Sequence, residues 1–267
     1  MKYVVDHDYH IHSQLSSCSS DPEQTPQRLL EYAKSNGYKQ LVLTDHYWDS
    51  AVPGASRWYM PQDFRHISAS LPLPQAEGVE FLFGCETDMD RFMTLGIPEE
   101  RFKDFDFVVI PTTHMHMNGF TVSEEDSASA EAKAKLWVER LDSLLCRSLP
   151  FYKIGIAHLV CPLIAGNSRE EYLKILDLIP DAELDRLFTR AATVGVGIEL
   201  NCGDFYSPDA QTYHVLRIFR AAKECGCKFY CSSDAHHPSS LGKVKAVLEK
   251  AVDSLGLTED DKFHIGK

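Results

Sequence analysis

Residues 4–12 read Val4-Val5-Asp6-His7-Asp8-Tyr9-His10-Ile11-His12, a β-rich run that ends with two histidines two positions apart. Alternate residues of a strand share a face, so His10 and His12 can reach one ion together while Ile11 packs behind them. The same arrangement recurs along the chain. Further β-rich runs at 40–44, 79–84, 105–111, 154–157, 194–200 and 228–232 lead into Thr44-Asp45-His46, Gly84-Cys85-Glu86-Thr87-Asp88, Thr112-Thr113-His114, Ala157-His158, Glu199-Leu200-Asn201 and Ser233-Asp234-Ala235-His236. Every strand end thus carries an ionisable or metal-capable side chain. That is the rim on which parallel α/β barrels build their active sites.

Helical patterns separate the runs. Thr25-Pro26 reads as an N-cap with proline at the first helical position, followed by Leu29, Leu30 and Ala33 on one face and Gly37 after the end. Ser207-Pro208 reads as a second such cap, before the stripe Val215, Leu216, Phe219 and Ala222, with Gly226 closing the helix. Leu136, Leu141, Leu144 and Leu145 mark one more helix, and Val244, Val247, Leu248 and Ala251 another. Strands alternating with helices predict an α/β fold of parallel βα units wound into one sheet or barrel. No linker, repeat or low-complexity stretch divides the chain, so residues 1–267 read as a single domain.

Composition sets outer bounds. A chain of 267 residues buries a core without disulfides, and 44% hydrophobic with 25% charged residues describes a globular protein rather than a disordered or fibrous one. The formal net charge of −12 argues against a nucleic-acid binder, although bound cations can make a pocket attractive to an anion. No apolar run is long enough for a membrane helix, and Met1-Lys2-Tyr3-Val4-Val5-Asp6-His7 lacks the apolar stretch of a secretory signal. The eight cysteines form no C-x-x-C pair and read as reduced thiols, so the expected location is cytoplasmic. Imidazole with carboxylate donors suits Zn²⁺, Mn²⁺ or Fe²⁺, and without cysteine pairs the expected site is a catalytic metal centre, not a closed structural zinc.

These motifs, in this order from residue 8 to residue 236, resemble the PHP (polymerase and histidinol phosphatase) metallophosphoesterases, most closely the stand-alone histidinol-phosphate phosphatases. The resemblance implies a distorted (β/α)7 TIM-like barrel with two or three divalent ions on its C-terminal rim. It assigns His10, His12, Glu86 and Asp234 to one ion, Glu86 as a bridge with His114 and His158 to a second, and His46 with His236 to a third. The third ion also needs a ligand from the loop after His12, for which Ser17-Cys18-Ser19-Ser20-Asp21 offers Asp21 or Cys18. Glu86, Asp234 and His46 are the candidate catalytic residues. The implied reaction is hydrolysis of a small-molecule phosphomonoester, with histidinol phosphate one possibility, by attack of a metal-bridging hydroxide.

The substrate side departs from that pattern. The family's phosphatases use arginines after strands 5 and 6, whereas Leu159-Val160-Cys161-Pro162-Leu163-Ile164 and Cys202-Gly203-Asp204-Phe205-Tyr206 contain none. Arg57, in Ser56-Arg57-Trp58-Tyr59, is the candidate replacement, with Asn201 as a second substrate-binding residue. Trp58, Asp204, Phe205 and Tyr206 are candidates to shape the organic pocket. The competing readings are an amidohydrolase-type hydrolase, a nuclease of the same family and a non-catalytic metal-binding module. A lysine bridge at the end of strand 3 or 4 would favour the first, and none stands there.

Overall fold

The computed structural model describes residues 1–19, 21–165, 168–207, 209 and 211–266. Its strands are β1 (His7–Ile11), β2 (Gln40–Leu43), β3 (His46–Tyr47), β4 (Glu80–Thr87), β5 (Phe107–Pro111), β6 (Ile154–Ala157), β7 (Gly197–Asn201) and β8 (Lys228–Ser232). All ladders are parallel, in the order β1-β2-β4-β5-β6-β7-β8, with the two-residue β3 paired to the upper half of β4. The helices are α1 (Pro26–Asn36), α2 (Phe64–Ile67), α3 (Ala130–Leu145), α4 (Arg169–Leu178), α5 (Asp181–Val194), α6 (Cys202–Tyr206), α7 (Tyr213–Glu224) and α8 (Val244–Leu255).

Side chains substitute for a regular ladder where β8 returns to β1. His7 Nε2 accepts from the Cys231 N–H at 2.9 Å and Asp8 Oδ1 from the Ser233 N–H at 2.9 Å. Backbone bonds then take over at the rim, Asp234 N–H to the His10 carbonyl at 2.7 Å and His12 N–H to the Ala235 carbonyl at 3.2 Å. The result is a nearly closed, distorted TIM-like barrel of seven staves. The closing bonds bring the end of β8 directly against the H-x-H run.

Strand alternation divides the apolar residues between two layers. Val108 and Ile110 face outward into the main core beneath the helices, whereas Phe107 and Val109 join Tyr9, Val42, Ala157, Tyr230 and Phe263 in a smaller cluster inside the barrel. Gly155 makes room for that interior filling: a Cβ there would stand 2.5 Å from the Tyr230 hydroxyl oxygen and 2.6 Å from Phe107 Cζ. Phe263 plugs the opposite end, its N–H bonded to the Phe229 carbonyl at 2.8 Å. No helix of the described residues is long and apolar enough to cross a membrane.

Local expectations hold in some places and shift in others. Thr25 caps α1 by accepting from the Arg28 N–H, and Gly37 ends it at φ 68°. The cap expected at Ser207-Pro208 is displaced: α7 starts at Tyr213 behind Thr212, Ser207 follows the end of α6, and Pro208 lies outside the described residues. The first strand is shorter than the run 4–12, and β4 runs on to Thr87, so Glu86 is held within a strand. β3 was not apparent in the sequence because two residues carry no periodicity. The 40–44 run breaks at Thr44-Asp45, and the chain regains β4 at His46↔Glu86.

Candidate metal centre

The C-terminal ends of the strands gather the titratable residues into one buried cluster. A register shift between Asp8 and Ile11 marks a bulge in β1, which re-aims the strand end where His10 and His12 stand. His158 and Asp234, immediately past β6 and two residues past β8, adopt φ of 61° and 51°. Left-handed backbone is costly for non-glycine residues, and here it goes with side chains turned into the cluster.

Glu86 sits at the centre. Its Oε2 lies 2.9 Å from His46 Nδ1, 3.3 Å from His10 Nε2 and 3.3 Å from His12 Nε2, and its Oε1 lies 3.4 Å from His158 Nε2. Asp234 closes the other side, with Oδ1 3.2 Å from His12 Nε2 and 3.5 Å from His10 Nε2, and Oδ2 3.7 Å from His158 Nε2. Three groups have donor atoms all within 4.8 Å of one another: His10–His12–Asp234, His10–Glu86–His158 and His12–His46–His236. They overlap, as the sites of neighbouring ions would.

Two observations test whether these residues fit divalent cations. Both Glu86 oxygens and His46 Nδ1 are buried and have no aligned hydrogen bond despite their close approach. Buried polar atoms are rarely left this way unless something else completes them. The second observation is the set of hydrogen bonds on the far side of the rings. His10 Nδ1 lies 2.6 Å from Glu199 Oε1, His12 Nδ1 2.9 Å from Ser16 Oγ, and His236 Nδ1 2.9 Å from the Asp234 carbonyl. Ser16 Oγ donates to Asp45 Oδ1 at 2.6 Å and accepts the His46 backbone N–H at 3.1 Å, which leaves its second lone pair for the His12 N–H. Each ring is held so that Nε2 presents a lone pair to the cluster, the usual outer arrangement of metal-bound imidazoles. The donor set fits divalent metal ions.

The electrostatics agree. Burial raises the carboxyls of Glu86 and Asp234, but the surrounding histidines outweigh it and hold both well below the usual carboxylate range. Burial likewise lowers His10, His12 and His158. For His10 the charges of Glu86 and Asp234 reverse the sign, and for His12 the close approach of Asp234 and Glu86 does so. At His158 the charge of Glu199, then Asp234, raises the ring to about 10. Burial keeps His46 low and, with His12, brings His236 to about 3. The pocket demands positive charge.

The remaining sequence candidates divide. His114 stacks on His158, ring centroids 5.1 Å apart, and its Nδ1 lies 3.0 Å from Asp88 Oδ2, yet it stands outside the three groups. Asp21 does not join the cluster: its carboxylate pairs with His237 Nε2 at 2.8 Å on the rim, and it is Cys18 that lines the cavity over Glu86. Asn201 donates from Nδ2 towards Glu199 and Asp234, its orientation fixed by Oδ1 accepting the Gly203 N–H at 2.7 Å. Arg57 is exposed and does not line the cavity, whereas the adjacent Trp58 and Tyr59 do. His116 lines it as well. Of the four residues expected to shape an organic pocket only Trp58 does so. Phe205 is buried against Phe219, Asp204 is buried, and Tyr206 borders a neighbouring cavity with Lys243.

Sequence reading missed the supporting layer. Glu199 orients His10, and Ser16 orients His12. Asp88 orients His114 and is itself held by the Tyr59 hydroxyl at 3.3 Å and the fully buried Arg140 at 3.4 Å. Arg140 also donates to the carbonyls of Met89, Thr112 and Thr121. The one available signal was Glu199 and Asn201 two apart at a strand end.

Comparison with known proteins places this geometry. A family model described as "PHP domain" matches residues 8–202. Among solved structures, a histidinol phosphate phosphatase from Lactococcus lactis superposes with a TM-score of 0.58 at 18% identity, covering 93% of this chain and 94% of that one. A bifunctional HPPK-DHPS from Plasmodium falciparum gives a TM-score of 0.39 at 13% identity, covering 92% of this chain and 48% of that one, and carries no argument. No curated protein sequence matches the chain significantly. The phosphatase likeness shows the barrel, and the family model covers most of the chain and the strand ends that bear Glu86, His114 and His158: the chain belongs to the PHP domain family.

Proposed function

We propose that this protein is a metal-dependent phosphoesterase that hydrolyses a small-molecule phosphomonoester. The observation that carries the reading is Glu86, a buried carboxylate with no aligned hydrogen bond and four imidazole nitrogens within 3.4 Å. His10, His12, Glu86, Asp234, His46, His158 and His236, with His114 at the edge, would hold two or three Zn²⁺, Mn²⁺ or Fe²⁺ ions. Such ions supply Lewis acidity towards phosphoryl oxygens and lower the pKa of water.

The chain's own residues do the positioning. Glu199, Ser16 and Asp88 fix His10, His12 and His114 by their Nδ1 atoms, so the rings need no reorientation on binding. Asn201 turns its amide towards Asp234 and His158 and supports them from behind, since it borders the neighbouring cavity and not the one over Glu86. A cavity of about 540 Å³ opens over Glu86, large enough for a phosphate ester. In this reading the whole chain, 1–267, acts as one domain, because Phe263 near its end closes the barrel floor. The Lactococcus lactis phosphatase was crystallised with Zn, L-histidinol and phosphate. That likeness supports a phosphomonoester here and makes histidinol phosphate one ester to test.

The test is phosphate release from a panel of phosphomonoesters with Mn²⁺ or Zn²⁺, histidinol phosphate and an aryl phosphate included. Metal-dependent release abolished by chelation is the expected result. Release from none of them, by a protein that binds the ions, would overturn the proposal.

A further inference from the structure

We propose that the cavity over Glu86 selects phosphomonoesters whose organic part is uncharged and apolar, arylalkyl esters foremost. The inference rests on the phosphoesterase reading and narrows its substrate. All the charge of this cavity lies on its floor, in Glu86, Asp234 and the histidines around them. The walls above are Trp58, Tyr59, Met117, Cys161 and Leu163, with Cys18 and the His116 ring beside them, and no lysine or arginine lines the cavity among the described residues. Arg57 does not border this space. Arg169, the first arginine after β6, is taken up by both oxygens of Asp209. A second anionic group on the substrate would therefore meet apolar wall without a counter-charge. A cationic ammonium would find only carboxylates that the ions already need. Either charge would be desolvated without compensation.

The wall is also built to receive a ring. Trp58 stands edge-on to Tyr59 at 4.7 Å and to His46 at 4.8 Å, which fixes its plane at the cavity edge. It nevertheless remains 36% exposed, and Leu163 remains 37% exposed. Both are large apolar side chains left facing the same opening, and a ligand ring would cover them in the offset or edge geometry that aromatic groups prefer.

The experiment compares kcat/KM of the metal-loaded full chain for benzyl phosphate, phosphoglycolate and histidinol phosphate, alkyl esters of broadly similar leaving-group reactivity. Benzyl phosphate should lead by at least about tenfold. Calorimetric binding gives a readout without turnover, and benzylphosphonate should bind about tenfold tighter than methylphosphonate. Trp58→Ala should erase most of that binding ratio, and Leu163→Arg, at an exposed position, should shift preference towards phosphoglycolate. Turnover of all three esters with phosphoglycolate or histidinol phosphate equal or preferred would overturn the inference and leave the phosphoesterase reading standing. Turnover of no phosphomonoester would overturn both. Equal binding of the two phosphonates would overturn the inference whatever the turnover.

Discussion

The Nδ1 atom of His10 lies 2.6 Å from Oε1 of Glu199, and both side chains are fully buried. The other oxygen of Glu199 accepts the backbone N–H of His158 at 2.8 Å. One carboxylate on β7 thus sets the ring of a β1 histidine and the backbone of the histidine after β6. Outer hydrogen bonds of this kind raise ligand basicity and fix the tautomer, and losing one typically weakens metal binding by about 10–100-fold. Glu199→Gln should show a loss in that range in competitive titration against a chelator. Unchanged affinity would mean that Glu199 is only a structural acceptor.

Glu86 is approached by ring nitrogens from β1, β3 and the turn after β6, so it belongs to more than one candidate ion site. Glu86→Ala should lower metal content by more than one ion per chain and reduce turnover by at least about a thousandfold. Elemental analysis of the purified variant checks the first part and phosphate release the second. Full occupancy in that variant would remove Glu86 from the centre.

The sequence showed the barrel and its rim more clearly than the layer behind the rim. Strand ends were legible because parallel strands buried on both faces leave β-rich runs, and the chemistry-bearing residues stand where those runs stop. His10 and His12 could be paired because strand parity is a local rule. Arg140 could not be connected to Asp88, because a helix residue 52 positions away reaches it only after α3 packs on the barrel. The loop after His12 was illegible for a related reason: Asp21 is the acid of that segment, but its placement depends on His237, which arrives from the far end of the chain. Spacing reveals periodic elements, while loop contacts depend on the assembled fold.

That loop yields a direct test. The Asp21–His237 pair is partly exposed, with side chains 23% and 49% accessible, and exposed pairs contribute about 0–1 kcal/mol. Asp21→Ala should therefore leave metal content and melting temperature nearly unchanged. Cys18 borders the cavity alongside His46 and His236. Cys18→Ser should alter the affinity of the weakest-held ion, and a Co²⁺-loaded protein should lose any thiolate charge-transfer band contributed by that residue. Loss of an ion in Asp21→Ala, with none in Cys18→Ser, would restore Asp21 as the ligand.

Asp204 makes stability depend on pH. Its side chain is buried on α6, Oδ2 has no hydrogen-bond partner, and desolvation raises the carboxyl to about 7, with His158 opposing. An acid whose folded pKa lies above its unfolded value of 3.8 binds its proton more tightly in the folded state. Its contribution is therefore fully present below about pH 4 and is lost as pH rises to 7, by about 1.4 kcal/mol for each pH step between those two values. Asparagine keeps the shape and never ionises. In chelator-treated protein, Asp204→Asn should become more stable relative to the parent by about 2.6 kcal/mol between pH 5 and pH 8. Urea unfolding of both proteins at the two pH values reads this difference. A constant offset would show that Asp204 stays ionised in the folded protein and that His158 outweighs the cost of burial.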